Sequence, residues 1–170
     1  FIVSRFLGLK NEQIQKGLYK STGSKRRFEK VGKSKSGALV YDDYAHHPTQ
    51  IKSVLSAAKE RFPKKRLISL FQPHTYTRTK ALFDQFAKSF GQADIALFMD
   101  IYASAREFKN ETVSSKALAK EVSKHKKESY YVGNHQGATR WLKKHTGPED
   151  LILTLGAGDV FYIFEDLLGN

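Results

Sequence analysis

Residues 38–71 read ALVYDDYAHHPTQIKSVLSAAKERFPKKRLISLF, and this stretch decides the fold class. ALVYDD (38–43) is a short apolar run of strand length. From Pro48 onward, Ile51, Val54, Leu55 and Ala58 recur at helical spacing. Proline suits the first helical position, because the N–H it lacks would have no partner there. RLISLF (66–71) is a second apolar strand. Strand, helix and strand in so short a stretch make one crossover unit, in which two parallel strands carry a helix across one face.

The alternation continues on both sides. The next helix is expected to run to about Phe90, with Leu82, Phe83, Phe86 and Phe90 inward and Gly91 as its stop. DIALFMD (94–100), SYYV (129–132) and LILTL (151–155) are further strands. Ser114 or Ser115 starts a helix holding Leu118 and Val122, and Asn134 starts one holding Trp141 and Leu142. Val160 to Leu168 forms a last helix with Ile163, Phe164 and Leu167 in register. Upstream, Phe28 to Val31 suits an edge strand, joined through a hairpin turn at Lys33 to Gly37. Residues 1–20 form two short helical pieces, with Gly8 closing the first, Asn11 opening the second, and Ile14 and Leu18 on one face. The Ser-, Gly- and Lys-rich run from Ser21 to Lys25 marks a domain boundary. The whole is α/β: a mostly parallel, Rossmann-like sheet of about six strands, helices on both faces, and one antiparallel edge strand.

Composition narrows the function classes. Lys and Arg total 29 against 17 Asp and Glu, for a net charge of +12, which points to an anionic partner. The basic runs at 64–66, 124–127 and 143–144 sit at element ends, and no recognition motif accompanies them, so no nucleic-acid partner is expected. A basic nucleic-acid-binding α/β module stands as an alternative, as does a stand-alone flavodoxin-like nucleotide domain. With no cysteine there is neither a disulfide framework nor a thiolate metal site. No apolar run reaches the length of a membrane span, so a cytoplasmic protein without a membrane partner is expected. The chain opens at Phe1 within an apolar pattern and reads as a piece of a longer one.

In sheets of this kind ligands sit beyond the carboxyl ends of the strands. That rule selects five loops: 42–48, 72–79, 100–109, 133–137 and 156–159. In DDYAHHP, two adjacent histidines point apart on an extended chain and no third ligand has suitable spacing, so no metal site is expected. Two readings stay open for this loop. Asp42 or Asp43 caps a turn and His47 caps the helix, or the loop is a lip that binds hydroxyls and anions. In FQPHTYTRTK, His74 and Arg78 lie near a helix start, where a guanidinium fork suits a carboxylate or phosphate. Alternatively, Arg78 pairs with a surface acid and Thr77 or Thr79 is a cap. The third loop holds Tyr102, Arg106 and Glu107. The last, LGAGDV, lacks the third glycine of a dinucleotide fingerprint. Gly156 and Gly158 either make a turn with Asp159 as helix cap or allow close backbone approach to a ligand.

YDDYAHHPTQI, FQPHTYTRTKALFDQFA, DIYASARE and LTLGAGDV, in this order and spacing, resemble the C-terminal domain of the Mur ligases. KRRFE resembles the entry to that domain from the central one. The resemblance implies that residues 1–22 are a helical remnant of a central ATP-binding domain and residues 23–170 the C-terminal domain. It implies an ATP- and magnesium-dependent ligase that joins an amino acid to a nucleotide-sugar carboxylate through an acyl phosphate. The motifs are most similar to members that add L-alanine to UDP-N-acetylmuramate, with muropeptide ligases of the same family as the alternative. By motif match, Asp43 and His46 would serve ATP, and Tyr44, His46, His74 and Arg78 would serve L-alanine. Thr75 stands where many members have arginine, and Arg106 is a candidate to compensate. Tyr102, Gly156, Gly158 and Asp159 are further candidates. No Gly-x-x-x-x-Gly-Lys-[Ser/Thr] phosphate loop occurs in the sequence, so the partner is the central domain and the isolated piece is expected to be inactive.

Overall fold

The computed structural model describes residues 1–20, 24–104, 107, 112–125 and 128–168. Six strands form one sheet: β1 (Glu29–Lys33), β2 (Leu39–Asp43), β3 (Arg66–Phe71), β4 (Ile95–Met99), β5 (Glu128–Gly133) and β6 (Asp150–Leu155). Their spatial order is β1-β2-β6-β3-β4-β5. β1 runs antiparallel to β2, and the remaining pairs are parallel.

Helices α1 (Ile2–Phe6) and α2 (Asn11–Lys20) precede the sheet. α3 (Pro48–Arg61) follows β2, α4 (Tyr76–Ala81) and α5 (Phe83–Ala87) follow β3, and α6 (Ser115–Ser123) follows β4. α7 (His135–His145) follows β5, and a 3₁₀ turn (Val160–Tyr162) leads into α8 (Ile163–Leu167). The period-2 alternation of each strand divides the core in two. Leu67 and Phe71 pack with α3, α5 and α6 on one face, while Ile68 and Leu70 pack with α7 and α8 on the other. The chain steps outward from β3 to β5 and then returns through α7 to place β6 between β2 and β3. Helices leaving β6 and its two neighbours therefore go to opposite faces, which opens a crevice at their carboxyl ends.

Two expected helices are cut differently. The run to Phe90 divides at Leu82, whose φ of −113° and ψ of 18° leave the helical region. The break re-aims the chain so that Phe86 and Phe90 reach Phe71 and Phe98, with ring centroids 4.9–6.1 Å apart. Gly91 is not the stop, because α5 ends at Ala87 with Lys88 as its C-cap. The last helix begins as the 3₁₀ turn, and Leu168 bridges to Ser34 instead of continuing it. In α2, Ile14 is buried but Leu18 is 62% exposed. Ile2 and Phe6 of α1 are also exposed. Among the described residues no helix is long and apolar enough to cross a membrane.

Residues 26–28 strap across the end of β2. Arg26 (φ 56°) and Phe28 (φ 47°) both adopt left-handed backbone angles. They are held there by hydrogen bonds from Arg26 N–H to Glu29 (2.7 Å) and from Phe28 N–H to Asp43 (2.8 Å).

Candidate functional site

The loop after β2 divides the labour of its residues. Asp43 is buried; Oδ1 accepts from Ala45 N–H and Oδ2 from Phe28 N–H, both at 2.8 Å. Asp42 is also buried and pairs with Arg26 Nε (2.9 Å) and the Thr154 hydroxyl (2.5 Å). Burial raises its pKa above 3.8, and the bonds from Thr154 and Arg26 only partly offset that. His47 is the N-cap of α3: its ring accepts from Thr49 N–H, while Gln50 accepts from the His47 N–H. His46 points the other way. Its Nδ1 lies 2.9 Å from the Tyr44 carbonyl, which can only accept, so Nδ1 carries a proton and Nε2 is the acceptor in the neutral form of the ring.

After β3, Thr75 turns the chain at φ 69° and ψ 137°. A β-branched residue at such angles carries strain of order 1–3 kcal/mol. The turn brings Arg78 Nη1 to 3.3 Å from His74 Nδ1. A guanidinium only donates, so Nδ1 accepts and His74 carries its proton on Nε2. Burial lowers the His74 pKa, the Arg78 charge and that of His46 when protonated lower it further, and Glu107 opposes them. His74 is therefore neutral at pH 7.

The loop after β4 pairs with this turn. Thr75 N–H donates to the Tyr102 carbonyl (2.9 Å), and Tyr102 N–H donates to that of Pro73 (2.8 Å). The Tyr102 ring stacks on His74 with centroids 5.5 Å apart. Tyr44, His46, His74 and Tyr102 thus form a continuous aromatic row, with neighbouring centroids at 5.3, 6.4 and 5.5 Å. Arg26 and Arg27 lie over the Tyr44 ring at 5.1 and 5.8 Å. Arg106 lies outside the described residues.

Gly156 and Gly158 are set by close approach. Gly156 has φ +146°, and a Cβ there would meet the Gln72 carbonyl oxygen at 2.7 Å. At Gly158 a Cβ would meet Gln72 Oε1 at 2.4 Å and Tyr102 Cγ at 2.8 Å. Asp159 does not cap the turn that follows it. Its carboxylate accepts from Gln72 Nε2 (2.7 Å) and lies 3.3 Å from His135 Nε2 instead. Gln72, Asp100, Tyr102, His135 and Asp159 line a cleft of about 190 Å³ that continues from the row. A larger groove of about 610 Å³ lies against α3 and residues 88–92, away from these side chains. Gly158→Ala should push Tyr102 off His74. The His74 ring resonances should then lose their upfield ring-current shift in an NMR spectrum, and unchanged resonances would show that the stack tolerates a methyl group.

Four residues had no role assigned from sequence: Arg26, Gln72, Glu107 and His135. Arg26 joins Asp42 to the carbonyls of Gly156 (2.6 Å) and Gly158 (3.2 Å), far away in sequence. Glu107 accepts from the N–H groups of Tyr76 (2.6 Å) and Thr77 (2.7 Å) and from the Thr77 hydroxyl. No local pattern announces such contacts, because each partner lies on another loop.

Residues 26–158 match a family described as Mur ligase, glutamate ligase domain. The chain is 40% identical over 162 residues to a UDP-N-acetylmuramate--L-alanine ligase of Desulfitobacterium hafniense, covering 95% of this chain and 36% of that protein. It is 44% identical over 163 residues to one of Acetivibrio thermocellus, covering 95% and 34%. It thus spans about a third of the length of these curated relatives. Among solved structures it is similar to a UDP-N-acetylmuramate-alanine ligase of Thermotoga maritima, with a TM-score of 0.79 and 25% identity over 97% of this chain and 34% of that one. A murein peptide ligase of Psychrobacter arcticus shares the fold at a TM-score of 0.68, with 23% identity over 89% of this chain and 31% of that one.

Proposed function

The chain belongs to the Mur ligase family, and from that premise we propose that it is the amino-acid- and nucleotide-contacting domain of a cytoplasmic, ATP-dependent ligase joining L-alanine to UDP-N-acetylmuramate in peptidoglycan precursor synthesis. One observation carries the reading. Tyr44 and His46 after β2, His74 and Arg78 after β3, and Tyr102 after β4 meet in one row at the carboxyl edge of the sheet.

Each group has a role that its bonding leaves open. Arg78 offers its remaining guanidinium donors to the amino-acid carboxylate. His74 adds Nε2–H as a neutral donor. His46 Nε2 accepts a proton from the amine, and Tyr44 walls the same side. Asp43 keeps a second lone pair on each carboxylate oxygen for a ribose hydroxyl of ATP. Thr75 sets the turn, while Tyr102, Gly156, Gly158 and Asp159 shape the adjoining cleft.

ATP supplies the driving force by converting the sugar-nucleotide carboxylate to an acyl phosphate, which the amine then attacks. Among the described residues no cluster of three or more His, Asp or Glu side chains is placed to hold a metal ion. We assign the phosphate cradle, the magnesium site and the UDP-N-acetylmuramate site to the part of the relatives that this chain does not span. Residues 1–22 are the tail of that neighbouring domain, which is the chain's partner.

The test is steady-state kinetics in the full-length protein. Arg78→Ala should raise the KM for L-alanine about a hundredfold, the usual penalty for losing a charge-assisted partner, and change that for ATP far less. Equal effects on both substrates would remove Arg78 from the amino-acid site. A full-length protein that releases no phosphate in response to L-alanine would overturn the reading as a whole.

A further inference from the structure

Resting on that proposed function, we propose that Glu107 is a positioning residue: its carboxylate clamps the turn at Thr75 and so sets His74 and Arg78 for the amino acid.

The argument starts from the strain. Thr75 is one of three described non-glycine residues with positive φ, and it lies between His74 and Arg78. A left-handed β-branched residue persists only where its surroundings over-determine it. Here the surroundings come from both sides. Thr75 N–H is tied to the Tyr102 carbonyl at 2.9 Å, and the Thr75 carbonyl accepts from the Thr79 hydroxyl at 2.7 Å. The next two N–H groups, of Tyr76 and Thr77, both end on Glu107, at 2.6 and 2.7 Å. The Thr77 hydroxyl joins the same carboxylate. Three consecutive residues, Thr75, Tyr76 and Thr77, are therefore bound by one carboxylate and one backbone bridge, both from the loop after β4.

These bonds act on the neighbouring side chains. Residues 76–78 form the first turn of α4, so the direction of Arg78 follows from where Tyr76 and Thr77 are held. Arg78 in turn fixes the His74 ring through the 3.3 Å contact to Nδ1. The bonds of Glu107 go to Tyr76 and Thr77, which flank the turn. Glu107 acts through the backbone, and its charge is also felt at the His74 ring.

The experiment compares Glu107→Gln and Glu107→Asp in the full-length protein. Gln keeps the size but loses the charge, and Asp keeps the charge on a shorter stem. For Glu107→Gln the KM for L-alanine should rise about tenfold to a hundredfold, as for a catalytic group misplaced by about an ångström, with the KM for ATP and the melting temperature little changed. Glu107→Asp should recover part of that loss. Selectively labelled histidine NMR gives a second readout: His74 should titrate at lower pH in the Gln variant, because the one charge that favours its protonation is gone, and nearer the native pH in the Asp variant. Unchanged KM for L-alanine and unchanged His74 titration would overturn the proposal, and so would a uniform loss of kcat and stability. If the unaltered protein does not use L-alanine, the proposed function fails, and hydrogen exchange at the Tyr76 and Thr77 amides, which should speed up in Glu107→Gln, still decides whether Glu107 holds the turn.

Discussion

Arg26→Ala is expected to cost the fold about 3–5 kcal/mol at neutral pH, as removal of one partner from a buried ion pair does. Asp42 is 1% exposed, and Arg26 is the cation beside it. Without it the carboxylate keeps only the Thr154 hydroxyl, and the carbonyls of Gly156 and Gly158 lose the donors that tie them to residues 26–28. The pH dependence identifies the cause. Asp42 already has a folded-state pKa above 3.8, and losing Arg26 raises it further. A group whose folded pKa is raised favours the folded state when protonated. The deficit of the variant should therefore be greatest near pH 7 and should narrow as the pH falls through the raised range of Asp42. Urea midpoints of the native and variant chains at several pH values measure this. A deficit independent of pH would assign the loss to the packing of the guanidinium over the Tyr44 and Phe161 rings, at 5.1 and 5.0 Å, instead.

Phe71→Ala should cost a comparable amount, about 3–5 kcal/mol, for a different reason. Phe71 is fully buried at the carboxyl end of β3, with the rings of Phe86, Phe90 and Phe98 at 5.4, 5.5 and 6.1 Å. Truncation leaves a cavity that three rings, one each from α5, the segment after it and β4, cannot all collapse into. Gln72 and the His74 turn follow directly, so the site loses its footing along with the core. The urea midpoint should drop while the dependence on urea stays the same, because the surface exposed on unfolding hardly changes. The deficit should persist at every pH, in contrast to Arg26→Ala. A midpoint within experimental error of native would mean that the aromatic cluster repacks.

The strands were legible in the sequence because a sheet buried on both faces demands uninterrupted apolar runs, and RLISLF and LILTL have few other uses. The caps of α6 and α7 were legible for the same local reason: Ser114 and Asn134 each accept from the N–H three residues on. The break at Leu82 was not. Leu82, Phe83, Phe86 and Phe90 are all apolar at helical spacing, and only the position of Phe71 and Phe98 on the sheet requires the helix axis to turn between them.

The site shows the same division. The carboxyl-end rule selected its loops from the order of strands and helices alone, and a His47 cap before Pro48 was one of two readings open for the first of them, the one its bond from Thr49 N–H bears out. What the loops do to one another had no local signature. Arg26 reaches across the sheet to Gly156, Gly158 and Asp42, and Glu107 reaches back to Tyr76 and Thr77. Asp42 and Asp43 read alike in sequence, yet one pairs with a guanidinium and the other staples two N–H groups. By itself, the sequence determined the alternation of elements, the sheet class and which loops meet at its edge, because hydrophobic period and cap chemistry act over a few residues. Only the tertiary structure decided which side chains in those loops hold one another, because burial, strain and charge pairing depend on neighbours brought from other strands.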